Sequence, residues 1–157
     1  MAVEIGNRPF GASYHRGMTI LLSRPVRGVS VRSRKSPGNC VPDWGYAVVD
    51  FEPIPDGEPS SVEFACAPCH DTELNDALAE GALIELAGTG THDPDRRRGE
   101  PVSARVVVRV IEQSLVDSCA AVYRGLGVLA VREMLTCLDQ DRPPQPIITR
   151  ISIGFRP

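Results

Sequence analysis

Thr72-Glu-Leu-Asn-Asp-Ala-Leu-Ala-Glu-Gly-Ala-Leu-Ile-Glu-Leu-Ala87 and, farther on, Val102-Ser-Ala-Arg-Val-Val-Val-Arg-Val-Ile111 decide the fold. In the first stretch Leu74, Ala77, Leu78, Ala82 and Leu86 recur at three- and four-residue spacing, which lines one face of a helix. Asp71 or Thr72 is suited to cap its free amides, Glu73 sits in its first turn, and Gly88-Thr89-Gly90 ends it. In the second stretch, Val106-Val107-Val108 reads as the centre of a buried strand. A second helix opens at Ser114-Leu-Val-Asp-Ser118, with Asp117 or Ser114 as its cap, and runs to about Asp139. Its apolar stripe is Cys119, Val122, Leu126, Leu129, Ala130 and Cys137. Gly125 and Gly127 lie inside that helix at a cost of about 1 kcal/mol each relative to alanine, which implies close approach to another backbone.

The flanks read as strands. Ala12–Leu22 and Val29–Arg34 are β-rich pieces broken by Pro25 and Gly28, which suits edge strands of an antiparallel sheet. Ser36-Pro37-Gly38-Asn39 and Pro42-Asp43 make residues 35 to 44 an exposed connection with Arg34 and Lys35 at its lip. Tyr46–Phe51 reads as a buried strand stopped by Pro53 and Pro55, and after the Asp56-Gly57 turn Ser61–Cys66 is expected to pair back on it as a hairpin. Arg142-Pro-Pro-Gln-Pro146 breaks the chain before a terminal strand, Ile147–Phe155. The sum is an α+β two-layer sandwich, a mixed or antiparallel sheet of four or more strands with two helices on one face. Residues 1–142 form the domain, and 143–157 are a tail strand on the same domain.

The 157 residues, 42% hydrophobic and 24% charged, suit one ordinary globular domain that needs neither disulfides nor a structural metal. The formal charge of −3 conceals a division. Residues 1–40 hold Arg8, Arg16, Arg24, Arg27, Arg32, Arg34 and Lys35 against Glu4 alone, a net of +6, leaving −9 for the rest. A basic end of this kind suits a polyanion contact or, equally, solvated arginines on strand edges. No apolar run approaches the roughly 18 residues of a membrane span. Met1–Phe10 has no signal-peptide core, so the expected compartment is the cytoplasm, where the five cysteines stay thiols.

Catalytic patterns are scarce. Cys66-Ala-Pro-Cys69-His70 matches C-x-x-C-H, the c-type haem attachment pattern, but haem is attached in exported proteins, the expected compartment here is the cytoplasm, and the segment falls between an expected strand and an expected helix. A zinc site from Cys66, Cys69, His70 and Cys40 lacks a second C-x-x-C, so an incidental cluster is expected. His15, His70 and His92 are scattered, and there is no G-x-S-x-G. No phosphate-binding glycine loop occurs and Lys35 is the only lysine, which argues against nucleotide binding. No enzyme activity, cofactor or metal is expected.

Val3-Glu-Ile-Gly-Asn-Arg-Pro9, Ala12-Ser-Tyr-His-Arg16 and Gly45-Tyr-Ala-Val-Val-Asp-Phe-Glu-Pro-Ile-Pro55 together resemble the opening of domain IV of translation elongation factor G. The Glu73–Ala87 helix and Val116-Asp-Ser118 followed by Ala120–Leu135, with Ala130, Glu133 and Leu135 in register, continue the likeness in the same order. Ribosomal-protection tetracycline-resistance proteins are similar at a lower level. The resemblance covers about residues 3–140. It implies the fold of the second domain of ribosomal small-subunit protein five, with a βαβ crossover that runs left-handed in that family. It also implies a ribosome- or RNA-facing tip of two loops, Arg32–Pro42 with Arg32, Arg34 and Lys35, and Glu112–Leu115 with Gln113 and Ser114. Two departures stand out. Ile111-Glu-Gln-Ser-Leu115 is shorter than the family's loop and lacks its histidine, and these 157 residues hold no counterpart of the family's GTPase domain. The expected function is therefore a stand-alone, translation-related RNA-binding module. The alternative is a protein-interaction or dimerisation module that kept the fold and lost RNA contact. A third reading is a small zinc- or thiol-dependent protein using Cys66, Cys69 and His70.

Overall fold

The computed structural model describes residues 19–34, 42–88 and 100–149. Among the described residues seven strands and two helices follow in the order β1 (Ile20–Leu21), β2 (Val26–Ser33), β3 (Gly45–Glu52), β4 (Ser61–Phe64), α1 (Thr72–Leu86), β5 (Val102–Ser103), β6 (Arg105–Glu112), α2 (Ala120–Gln140) and β7 (Ile147–Thr149). The main sheet runs β4-β6-β3-β2-β7, and β1 pairs with β5 in a small parallel sheet. β3 is antiparallel to both neighbours, while β4 lies parallel to β6 and β7 parallel to β2. The result is a two-layer α+β sandwich with a mixed sheet. Two parallel crossovers, β4-α1-β6 and β6-α2-β7, step the same way across it with their helices on the same face, and so share one hand.

Three expectations are corrected. Ser61–Phe64 does not form a hairpin with β3; it lies at the sheet edge beside β6. Val106, Val107 and Val108 are all buried, so β6 needs a strand on each side, and the half-buried Val62 and Phe64 of β4 suffice for an edge. β2 is not an edge strand either, because β7 covers its outer side. Gly28, expected to break this strand, takes a φ of +75° inside a bulge, a backbone that L side chains adopt at a cost. The second helix starts at Ala120 rather than at Ser114. Its N-cap is Cys119 with no side-chain cap, and Ser114–Ser118 forms a turn ahead of it.

The first helix follows its pattern. Asp71 caps it, Oδ1 accepting from the Glu73 amide at 3.0 Å, and Leu74, Ala77, Leu78, Ala82 and Leu86 are buried. The core also holds Val29, Val31, Ala47, Val49, Phe51, Val122, Leu126, Val131 and Met134. Tyr123, fully buried, donates its hydroxyl to the Glu112 carbonyl. The two helices cross at Gly81 and Gly127. A Cβ on Gly81 would lie 2.8 Å from the Arg124 carbonyl carbon, and one on Gly127 would lie 2.7 Å from the Ala82 amide nitrogen. The close approach expected of Gly127 is therefore observed.

Two buried carboxylates organise the strands. Asp50 accepts from the Gly28 amide at 2.8 Å and from Arg109 Nε at 2.7 Å, joining the bulge of β2 to that of β6. Glu133 grips the chain after α2, accepting from both terminal nitrogens of Arg142 and from the Gln145 amide. That grip fixes the approach to β7. Asp141 supplies the left-handed residue that ends the helix, at a φ of +48°.

Candidate nucleic-acid interface

Strand directions gather one pole of the molecule. The C-terminal ends of β2, β4, β6 and β7, the start of β3 and the N-termini of α1 and α2 meet there. Two loop segments distant in sequence are bonded together at this end. The Trp44 amide donates to the Asp117 carbonyl at 2.8 Å, and Ser118 Oγ donates to the Trp44 carbonyl at 3.0 Å. Within the turn, the Ser114 amide donates to Ser118 Oγ and the Asp117 amide to Ser114 Oγ, at 2.9 and 3.2 Å. Leu115 and Val116 stand at its apex, 87% and 82% exposed. Serines at positions 114 and 118, separated by two apolar residues and an aspartate, are what a self-braced turn needs.

The RNA-facing residues expected from the resemblance divide into two groups. Arg32 is exposed on β2 and Arg34 directly after it, and the Arg34 amide donates to the Thr149 carbonyl of β7. Lys35, like Cys40, lies outside the described residues. Gln113 and Ser114 sit beyond the end of β6, two strands away from β2. Their oxygens hold the scaffold: Gln113 Oε1 accepts from the Asp71 amide at 3.1 Å, and Ser114 Oγ braces the turn. The pole thus brings the two groups to one end without placing them in one cluster.

The arginines are not equivalent. Arg24, Arg27, Arg109, Arg124, Arg132 and Arg142 each pair with a carboxylate, on Asp141, Glu52, Asp50, Glu80, Glu85 and Glu133 respectively. Among the described residues Arg32, Arg34 and Arg105 have no such partner. Arg32 instead lies over the Tyr46 ring, its Cζ 4.6 Å from the centroid. Register places Arg32 opposite Tyr46, and Tyr46 opposite Glu112. The basic flank is thus the β2/β7 side, and acidic side chains lie toward β6 and α1, where Glu112, Asp71 and Glu73 are exposed.

The Cys66-Ala-Pro-Cys69-His70 loop lies at the same pole with a structural arrangement of its own. Asn75 on α1 mimics a backbone partner, its Nδ2 donating to the Cys69 carbonyl and its Oδ1 accepting from the Cys69 amide. Cys69 is buried, and burial pushes its thiol up to about 11. It is a thiol at neutral pH, whereas nucleophilic cysteines react as thiolates. Among the described residues no group of three His, Cys, Asp or Glu side chains is arranged to hold a metal ion. Among them, too, no helix is long and apolar enough to cross a membrane.

Tyr46 and the exposed Leu115-Val116 pair were not expected as surface features. The signal for Tyr46 is present: Gly45, Ala47, Val49 and Phe51 alternate as the buried face, leaving Tyr46 on the other. Leu115 and Val116 read as the first turn of a helix, because the serines that brace the turn are also good helix caps. Compared with protein-family models and with the curated proteins, the chain matches none.

Proposed function

We propose that this chain is a translation-related RNA-binding module of the cytoplasm, non-enzymatic, that approaches the ribosome or a structured RNA with the pole described above. The observation that carries this reading is the pair of exposed arginines, Arg32 and Arg34, that have no carboxylate partner among the described residues, at the end where the 113–118 turn is bonded to Trp44. Guanidinium groups free of internal ion pairs keep all their donors for phosphate oxygens. The β4-α1-β6 crossover and the two helices on one sheet face agree with the elongation factor G domain IV resemblance, but fold likeness is not function. Exposed Glu112, Asp71 and Glu73 bound the basic flank on the β6 and α1 side of the same pole.

The test is co-sedimentation with ribosomes at low salt. The triple variant Arg32→Ala, Arg34→Ala and Lys35→Ala is expected to lose at least tenfold in association. Wild-type affinity should fall with salt at a logarithmic slope of about −2 to −3, since each phosphate contact contributes roughly −0.7 to −0.9. Unchanged co-sedimentation of the triple variant removes this flank as the contact.

A second reading, a protein-interaction or dimerisation module, is favoured by the exposed Leu115 and Val116. Size-exclusion chromatography with and without nuclease separates the two. An interaction module keeps its partner once RNA is destroyed.

A further inference from the structure

We propose that Arg32 and Tyr46 form a stacking platform for an unpaired nucleobase, with Arg34 holding the adjoining phosphate. The inference rests on the RNA-binding reading above and gives Arg32 a base rather than a phosphate to contact. On β2, Val29, Val31 and Ser33 face inward and are buried, so Arg32 and Arg34 project from the opposite, helix-free face of the sheet. On β3, Gly45 faces α2, where a Cβ would meet Leu126 and Val122, so Tyr46 shares the open face with Arg32.

Among the described residues the guanidinium has the ring beneath it as its partner, 4.6 Å from the centroid, and no carboxylate. A cation fixed over an aromatic ring leaves its outer plane and its N–H groups available, and such planes stack on bases. The surroundings are low. Ile148 lies beside Arg32 in register and is 53% exposed, and the next row of this face carries Ser30 and Val48. A planar base can therefore lie on Arg32 with Ile148 against its edge.

Charge sets the path of the strand. Glu112 stands opposite Tyr46 on the β6 side and repels phosphate, whereas Arg34 follows Arg32 along β2 on the same face. The sugar-phosphate backbone runs along the β2/β7 flank toward Arg34. A base inside a duplex has both faces covered by its neighbours, so the ligand is single-stranded or looped RNA.

The experiment measures fluorescence anisotropy with three probes: labelled octa-adenylate RNA, the same strand annealed to its complement, and the same strand with its central positions abasic. Wild type is expected to bind the intact single strand about tenfold more tightly than either of the others, within the range that base stacking supplies. Arg32→Lys keeps the charge without the plane, and Tyr46→Leu keeps bulk without the ring. Each is expected to lose about five- to tenfold on the intact strand and nothing on the abasic one, with the salt slope retained. Arg32→Lys alters an exposed side chain, so its outcome stands even if Tyr46→Leu fails to fold. Equal affinity of wild type for intact and abasic strands, or wild-type behaviour of Arg32→Lys, overturns the platform. If ribosome co-sedimentation still depends on Arg34 and Lys35 in that case, only the platform falls. Failure to bind any RNA probe or the ribosome overturns the RNA-binding reading as well.

Discussion

Gly127→Ala lowers the stability of the fold by about 3 kcal/mol, the upper end of what overpacking costs. The added methyl group would lie against the Leu78 carbonyl oxygen and within 2.7 Å of the Ala82 nitrogen. Both are backbone atoms of α1 and cannot rotate away as a side chain would. Gly81→Ala has a similar effect from the other side, since its Cβ meets the Arg124 carbonyl. The helices must separate, and separation opens the core around Leu78, Val122 and Leu126, all of them buried. The midpoint of thermal unfolding should fall by roughly 6–12 °C for a chain of this size. Combining the two substitutions costs less than the sum, because one separation relieves both clashes. A loss below about 1 kcal/mol for both single variants, well short of the overpacking range, would contradict the close crossing.

Glu133→Ala removes about 3 kcal/mol, as expected when one partner of a buried ion pair is deleted. The Glu133 side chain is 7% exposed and that of Arg142 22%. Its loss takes the acceptor from the Gln145 amide and the carboxylate from Arg142, which keeps only Gln140 Oε1 and the Pro143 carbonyl as oxygen acceptors among the described residues. The hydrogen bond from Arg142 holds the Glu133 carboxyl below its ordinary value of 4.5, against the opposing effect of burial. Because the folded-state value is lowered, this contribution is fully present above the ordinary carboxyl range. It is lost as pH falls below about 4.5 and through the lowered value. Urea unfolding of wild type should therefore weaken across that acid range, and Glu133→Gln should give a flatter curve there. The same grip leads directly to β7, whose Ile148 lies beside Arg32. Amide exchange across Ile147–Thr149 should accelerate in the variant. An unchanged exchange rate would mean that β7 is held by its pairing with β2 alone.

Both predictions bear on residues whose importance the sequence reveals unevenly. A glycine inside a helix is a visible anomaly, and Gly127 could be read as a close approach because no other role explains its cost. Glu133 was legible only as a position in a family pattern; nothing in its neighbourhood shows that a bidentate arginine nine residues on makes its burial tolerable. The helix Thr72–Leu86 was readable to within a residue because its periodicity, cap and terminal glycine agree. The start of the second helix was not, since Ser114 and Ser118 serve turns and caps with the same hydrogen bonds. Strand existence was clear and strand neighbours were not. Ser61–Phe64 alternates as a hairpin partner would, but the three consecutive buried valines of β6 recruit it instead.

At the candidate site, the sequence marks the arginines but not which of them are neutralised. That distinction depends on cross-strand and interhelical partners such as Glu52, Asp50 and Glu80, which only the fold brings near. It also conceals that the hydrogen-bonding oxygens of Gln113 and Ser114 serve the scaffold. Among the described residues the basic N-terminal third is therefore sharpened to a two-arginine flank beside Tyr46, with acidic groups bounding it on the β6 side.

Ultraviolet cross-linking of the protein to ribosomes, followed by mass-spectrometric mapping of the nucleotide-bearing peptides, tests the RNA-facing pole most directly. Adducts are expected on the segments carrying Arg32, Arg34 and Tyr46, and none on the exposed side of α1 around Asp76 and Glu80. Adducts confined to α1 and α2, or no adducts under conditions that cross-link known ribosome-binding domains, would contradict it.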